Sequence, residues 1–270
     1  MSQAEAYARF KALHEAPDAF VLANAWDAAS AVVFREAGFL ALGTSSAAIA
    51  HALGRADGKH AVSLQEAVDN GTLLGRASGL PVNGDLEDGF GPAPEDCVAT
   101  VEAAIAGGLA GLGIEDTTAD AANPIHGFDD AVARIAAAAK AAKGRIVLTG
   151  RTDLFLHGRP DLDEAIRRLT AFAEAGADVL YAPALPDMES IRALVRAVAP
   201  KPVNVLLGPW GKFGALSELA EAGVKRVSLG GAPFGSAMGH LQRAAARIAA
   251  GDLAAVAEGM TTVRFNDVFG

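Results

Sequence analysis

The 270-residue chain carries a net charge of −9 with 51% hydrophobic residues, which fits a large core in one big α/β domain or two small ones; with no linker or composition break to divide it, a single domain over 1–270 is expected. The acidic balance argues against nucleic-acid or anionic-membrane partners, since both need clustered Lys and Arg. The lone Cys97 excludes internal disulfides and thiolate zinc sites. No basic stretch, apolar run and cleavage site open the chain, and no segment approaches the ~18 apolar residues of a membrane span. A cytoplasmic location is expected.

Eight short β-rich runs follow in chain order, at 20–23, 39–42, 80–84, 109–114, 145–148, 177–182, 202–206 and 225–229. Between them, stretches such as 29–38, 63–79, 95–108, 128–143, 162–176 and 188–199 carry apolar residues at helical spacing, and most end in Gly. Strand and helix alternate. That pattern predicts parallel pairing, as a doubly wound open sheet or as a closed barrel, and eight units in roughly 250 residues is the size of a (β/α)₈ TIM barrel.

In such barrels chemistry gathers where strands run into the following loops. The stretch "NGDLEDGFG" at 83–91 places Asp85 and Glu87 at a strand end, two residues apart and so predicted on one face, with Leu86 and Asp88 on the other. Asp88 and Asp116 are expected to cap helices or face solvent. Other strand ends contribute Thr44, Ser45 and Ser46, then Asp57 between Gly54 and Gly58 on a loop with the composition of a gate. Glu115, Arg151, Asp153 and Asn204 complete the set. Oxygen donors from neighbouring strands suit Mg²⁺. The six histidines lack a zinc spacing, and every lysine falls outside the barrel interior, against a Schiff-base mechanism. Arg151 is expected to grip an anion, with the 44–46 turn at the anion's other end. Cys97 reads as a packing residue. "GPWGKFG" at 208–214 does not fit a P-loop, while "SLGGAPFGS" after the last strand is a weak phosphate-site signal.

The stretches "EAGFLALGTSSAAIAHALGRADG", "VNGDLEDGFG", "GIEDTT", "RTD", "GADVLYAPAL" and "KPVNVL" together resemble the isocitrate lyase/phosphoenolpyruvate mutase superfamily over nearly the whole chain. The resemblance implies a (β/α)₈ barrel that exchanges its eighth helix within a homodimer or homotetramer. It also implies Mg²⁺ (Mn²⁺ as a substitute) acting on a small anionic oxo acid. Asp85 and Glu87 match the metal pair, with Glu115 beside them, and Asp57 the loop aspartate. Arg151 matches the substrate arginine and Asn204 the strand-seven asparagine, with Tyr181 a further substrate contact. Ser45 and Ser46 fall on the carboxylate cradle.

Departures restrict the activity. The lyase motif KKCGH is replaced by "TTADAANPIHGFDD", so no catalytic thiol is present, and Pro183 stands where lyases carry a glutamate. The mutase-type histidine is also missing, and Asn123 matches the mutase loop only loosely. The leading expectation is a Mg²⁺-dependent C–C lyase or decarboxylase working through an enolate. A phosphonopyruvate-type mutase or hydrolase, or a catalytically silent oxo-acid binder, are the alternatives. His51, His126 and Tyr181 are candidate proton donors.

Overall fold

The computed structural model describes residues 1–58, 60–208, 215–258 and 262–269. Lys59, at the end of the expected gate, and most of the 208–214 stretch, Lys212 included, lie outside them. Eight parallel strands close into a barrel in chain order: β1 (Phe20–Asn24), β2 (Leu42–Gly43), β3 (Val82–Asp85), β4 (Gly111–Glu115), β5 (Val147–Arg151), β6 (Val179–Tyr181), β7 (Val203–Leu206) and β8 (Arg226–Ser228). Pairing of β1 with β8 in parallel closes the ring and rules out the open sheet.

The helices are α1 (Gln3–Glu15), α2 (Ala28–Glu36), α3 (Ser46–Ala52), α4 (Leu64–Ser78), α5 (Pro94–Ala106), α6 (Phe128–Ala142), α7 (Leu162–Ala175), α8 (Met188–Val198), α9 (Leu216–Glu221), α10 (Ala232–Ala249) and α11 (Thr262–Phe269). Local signals explain their limits. Ser63 and Glu66 form a capping box at the start of α4, and Gly79, at φ 68°, supplies the left-handed residue that ends it.

Packing divides into two regions. Outward-facing strand residues such as Leu112, Leu148 and Leu180 bury against the inner faces of the surrounding helices, in one large cluster with Val101, Ile135 and Phe172. The floor of the barrel is a separate cluster in which Phe10 and Ala6 of α1 meet Phe20, Leu22, Val147 and Val179. Phe10 is fully buried there, and Gly111 makes room for it, since a Cβ at that glycine would stand 2.6 Å from the ring. With the floor plugged, the open end of the barrel is the strand-end face. α10 behaves differently: none of its side chains is buried. Among the described residues no helix is long and apolar enough to cross a membrane.

Candidate active site

A cavity of about 430 Å³ opens at the strand-end face. Its lining includes Thr44, Ser45, Ser46, Asp57, Asp85, Arg151, Tyr181 and Asn204, eight residues singled out by sequence, from β2 through β7 and the loops after them. The fold therefore gathers them into one place.

The β2–α3 turn is braced from both sides. The Thr44 backbone N–H donates to the Asn83 carbonyl, and its hydroxyl accepts the Asp85 N–H at 2.8 Å. Ser45 caps α3, and the Ser46 N–H donates to Asp85 Oδ2 at 3.0 Å. Asp85 is thus fixed at the N-terminus of α3. Asn24, which the sequence reading passed over, holds the ring together: its Nδ2 donates to the Thr44 carbonyl at 2.6 Å and its Oδ1 accepts from the N–H groups of Leu229 and Gly230. Those two amides are occupied, so the glycine turn after β8 does not offer them to a phosphate. A short polar residue ending β1 was the available signal for Asn24.

Glu87 departs from expectation. Regular alternation stops at Asp85, because the backbone enters a turn in which Gly89 N–H donates to the Leu86 carbonyl and Glu87 takes φ 46°. Leu86 is buried in the helix-side core, and Glu87 does not line the cavity. The loop itself is firmly tied. Glu115 N–H donates to the Glu87 carbonyl, Arg134 to the carbonyls of Asp88 and Gly91, and the Thr100 hydroxyl to that of Gly89. Burial, followed by the Asp85 charge, pushes the Glu87 carboxyl up to about 7.

Glu115, the third expected ligand, stands beside Arg151. It pairs with Arg151 Nη2 at 3.0 Å and accepts the Thr117 hydroxyl at 2.8 Å. Burial raises its pKa well above the ordinary value, opposed by Arg151. Arg151 meets Asp153 through two parallel bonds of 2.5 and 2.6 Å and Asp85 at 3.4 Å, and stands 5.2 Å over the Tyr181 ring. Burial would lower the Arg151 pKa, but Asp153, Glu115 and Asp85 hold it above its usual range. Among the described residues no three His, Cys, Asp or Glu side chains form a ready metal group. Asp85, Glu87 and Glu115 are neighbours, and only Asp85 of the three faces the cavity.

Asp57 does face it, from an exposed loop that Arg55 anchors through Glu66. Its carboxyl is raised by burial and by Asp85. Asp88 and Asp116, expected at caps or in solvent, are buried instead. Asp88 accepts from His60 and from the Phe90 N–H, and Asp116 binds Thr152, the Asp153 N–H and Arg168, tying β4 to β5. Of the proton-donor candidates only Tyr181 lines the cavity; burial raises its pKa and keeps it a phenol. Cys97 is fully buried, as a packing residue should be.

Residues 10–249 match the family model described as phosphoenolpyruvate phosphomutase. An uncharacterized protein of Mycobacterium tuberculosis is 31% identical over 90% of both chains. The 2-methylisocitrate lyase of Bacillus subtilis is 29% identical over 78% of this chain and 70% of that one. A Burkholderia cenocepacia J2315 crystal structure, its activity given only as lyase/mutase, superposes with a TM-score of 0.95 at 43% identity, covering 99% of this chain and 96% of the other. The barrel, its strand-end constellation and these matches agree: the chain belongs to the phosphoenolpyruvate phosphomutase family, within the isocitrate lyase/phosphoenolpyruvate mutase superfamily.

Proposed function

We propose that the protein is a Mg²⁺-dependent lyase or decarboxylase that breaks a C–C bond in a small 2-oxo acid or related dicarboxylate through an enolate. The observation that carries this reading is the pair Asp85 and Asp57 facing one cavity. Their oxygens, next to the crowded Glu87, suit Mg²⁺, which takes one or two carboxylates and completes its shell with water and substrate oxygens. Bound there, the cation would supply positive charge beside the substrate's 2-oxo and carboxylate oxygens.

The chain's own residues do the rest. Asp85, held by the Thr44 hydroxyl and the Ser46 N–H, keeps its carboxylate on the cavity wall. Thr44, Ser45 and Ser46 bring hydroxyls to a substrate carboxylate. Arg151, surrounded by Asp85, Glu115 and Asp153, keeps that wall from becoming an unrelieved negative patch. Tyr181, protonated and within the same cavity, is the donor for the carbanionic carbon once the bond has broken. Asn204 and Tyr181 border the substrate from the side opposite Asp57.

We extend this to a cytoplasmic homodimer or homotetramer in which α10 crosses to a neighbour, because no side chain of α10 is fully buried within its own chain. Incubation with oxaloacetate, 2-methylisocitrate, 2,3-dimethylmalate and phosphonopyruvate in the presence of Mg²⁺, followed by detection of pyruvate and other oxo-acid products, tests the activity. Cleavage of a carbon acid supports the lyase reading. Turnover of phosphonopyruvate alone overturns it in favour of mutase or hydrolase chemistry.

A further inference from the structure

Arg226 is a second guanidinium in the same cavity, and its surroundings differ from those of Arg151. It belongs to β8, is 2% exposed, and lines the cavity. Its Nε donates to Asn204 Oδ1 at 2.8 Å and its Nη2 to the Thr149 hydroxyl at 2.9 Å, while Nη1 lies 3.4 Å from His14 Nε2. All three partners are neutral, since burial, followed by the Arg226 charge, pushes His14 down to about 3. Among the described residues no carboxylate pairs with Arg226, whereas Arg151 has three.

An uncompensated buried charge is unfavourable, because burial removes its hydration and no counter-charge replaces it. The Arg226 contacts engage Nε, Nη1 and Nη2 with neutral groups and do not cancel that charge. An anion entering the cavity would cancel it. By contrast the bidentate Arg151–Asp153 pair fills the fork that the sequence reading assigned to substrate.

Position adds to the argument. The Arg226 side chain crosses the barrel from β8 to Thr149 on β5, two residues below Arg151 on the same face of the strand. Two residues of parallel strand span roughly 6.6 Å. The positive floor at Arg226 therefore lies about one side-chain layer beneath the rim where Asp85 and Ser46 stand, a separation suited to a molecule with an anionic group at each end.

We infer that Arg226 is a specificity-determining group that draws the second carboxylate of a dicarboxylate substrate to the barrel floor, while the first stays at the rim. This rests on the oxo-acid reading of the cavity and narrows it to diacids.

Calorimetric titration of Mg²⁺-loaded protein with unreactive succinate and malonate, set against butyrate and acetate, tests the inference without any turnover. The wild type should bind each diacid at least about tenfold more tightly than the matching monoacid, as a charge-assisted hydrogen bond provides. Arg226→Met should bring the two within about threefold while leaving monoacid affinity in place. Arg226→Gln, which keeps a polar contact with Asn204, serves where the methionine variant does not fold. No diacid preference in the wild type, or an unchanged preference in a folded variant, overturns the inference. Diacid preference with no cleavage of any oxo acid would instead sink the lyase reading and leave the floor site standing.

Discussion

Arg151 meets Asp153, two residues along the chain, through parallel hydrogen bonds of 2.5 and 2.6 Å, with 17% of the arginine side chain and 4% of the aspartate side chain exposed. The short link is made possible by the chain turning out of β5 immediately after Arg151, with the Asp153 N–H itself held by Asp116. Removing one member of a buried pair strands the other. Asp153→Ala should therefore lower stability by about 3 kcal/mol, a value at the low end for broken buried pairs because Glu115 and Asp85 remain to shield Arg151. Urea unfolding followed by circular dichroism measures it; an unchanged midpoint would show that Asp153 is dispensable to the arginine.

The carboxylates of Asp85 and Asp57 make a sharper prediction for the chemistry. Asp85→Ala takes away the oxygen that accepts the Ser46 N–H and the cavity's most firmly fixed acid. Turnover of the true substrate should fall by at least about a hundredfold, on the scale of losing a preorganised electrostatic group. EDTA should do the same to the wild type, and added Mg²⁺ should restore only the wild type. Full activity in EDTA would refute the metal-dependent reading.

Some of this was legible in the chain and some was not, for identifiable reasons. Gly79 and Gly176 marked the ends of α4 and α7, because left-handed φ angles of 68° and 112° favour glycine and leave a local trace. Strand count and order followed from repeated alternation. Glu87 was misplaced because period-two alternation holds only while the backbone stays extended, and the turn beginning at Leu86 depends on Arg134 and Thr100, which come from helices α6 and α5. Nothing local to "GDLED" reports those partners. Arg226 was missed for a related reason: as the first residue of a short strand beside Lys225 it resembled surface charge, and only barrel closure carries it to Thr149.

His14 gives the fold a defined acid sensitivity. Its ring lies 9% exposed between Phe10, Phe20 and Arg226, and burial holds its pKa near 3 instead of the ordinary 6.5. Above pH 6.5 both folded and unfolded His14 are neutral, so no stability depends on it. As the pH falls from 6.5 towards 3 the unfolded chain takes a proton that the folded chain refuses, and stability drops by up to about 1.4 kcal/mol per pH unit from this group. Other titrating groups act in the same range, so the check is a difference. Wild type and His14→Gln should diverge in urea midpoint between pH 7 and pH 4.5, with the wild type losing more; parallel curves would mean that the imidazole reaches water.

Phe10 tests the floor directly. It is fully buried, and stacks edge-on against His14 at 4.6 Å and Phe20 at 6.2 Å. Phe10→Ala should cost about 3–5 kcal/mol by lost burial and the cavity left behind. Because α1 closes the barrel opposite the active site, the variant that remains folded should also admit water towards Arg226 and weaken diacid binding. Thermal melts and the calorimetric titration read the two effects separately.

The last helices bear on assembly. Met238, Leu241 and Ile248 lie three and seven residues apart along α10, which puts them on one face, and they are 38%, 58% and 37% exposed in the isolated chain. An apolar stripe left in water on a helix with no fully buried side chain suits a contact with another subunit. Sedimentation equilibrium should give a mass of two or four chains. Leu241→Glu combined with Ile248→Glu places two charges into that interface, and burying an unpaired charge costs several kcal/mol; the mass should fall towards 27.4 kDa. A wild type that sediments as a single chain would end the exchange model, and a double variant that stays oligomeric would move the interface elsewhere on the barrel.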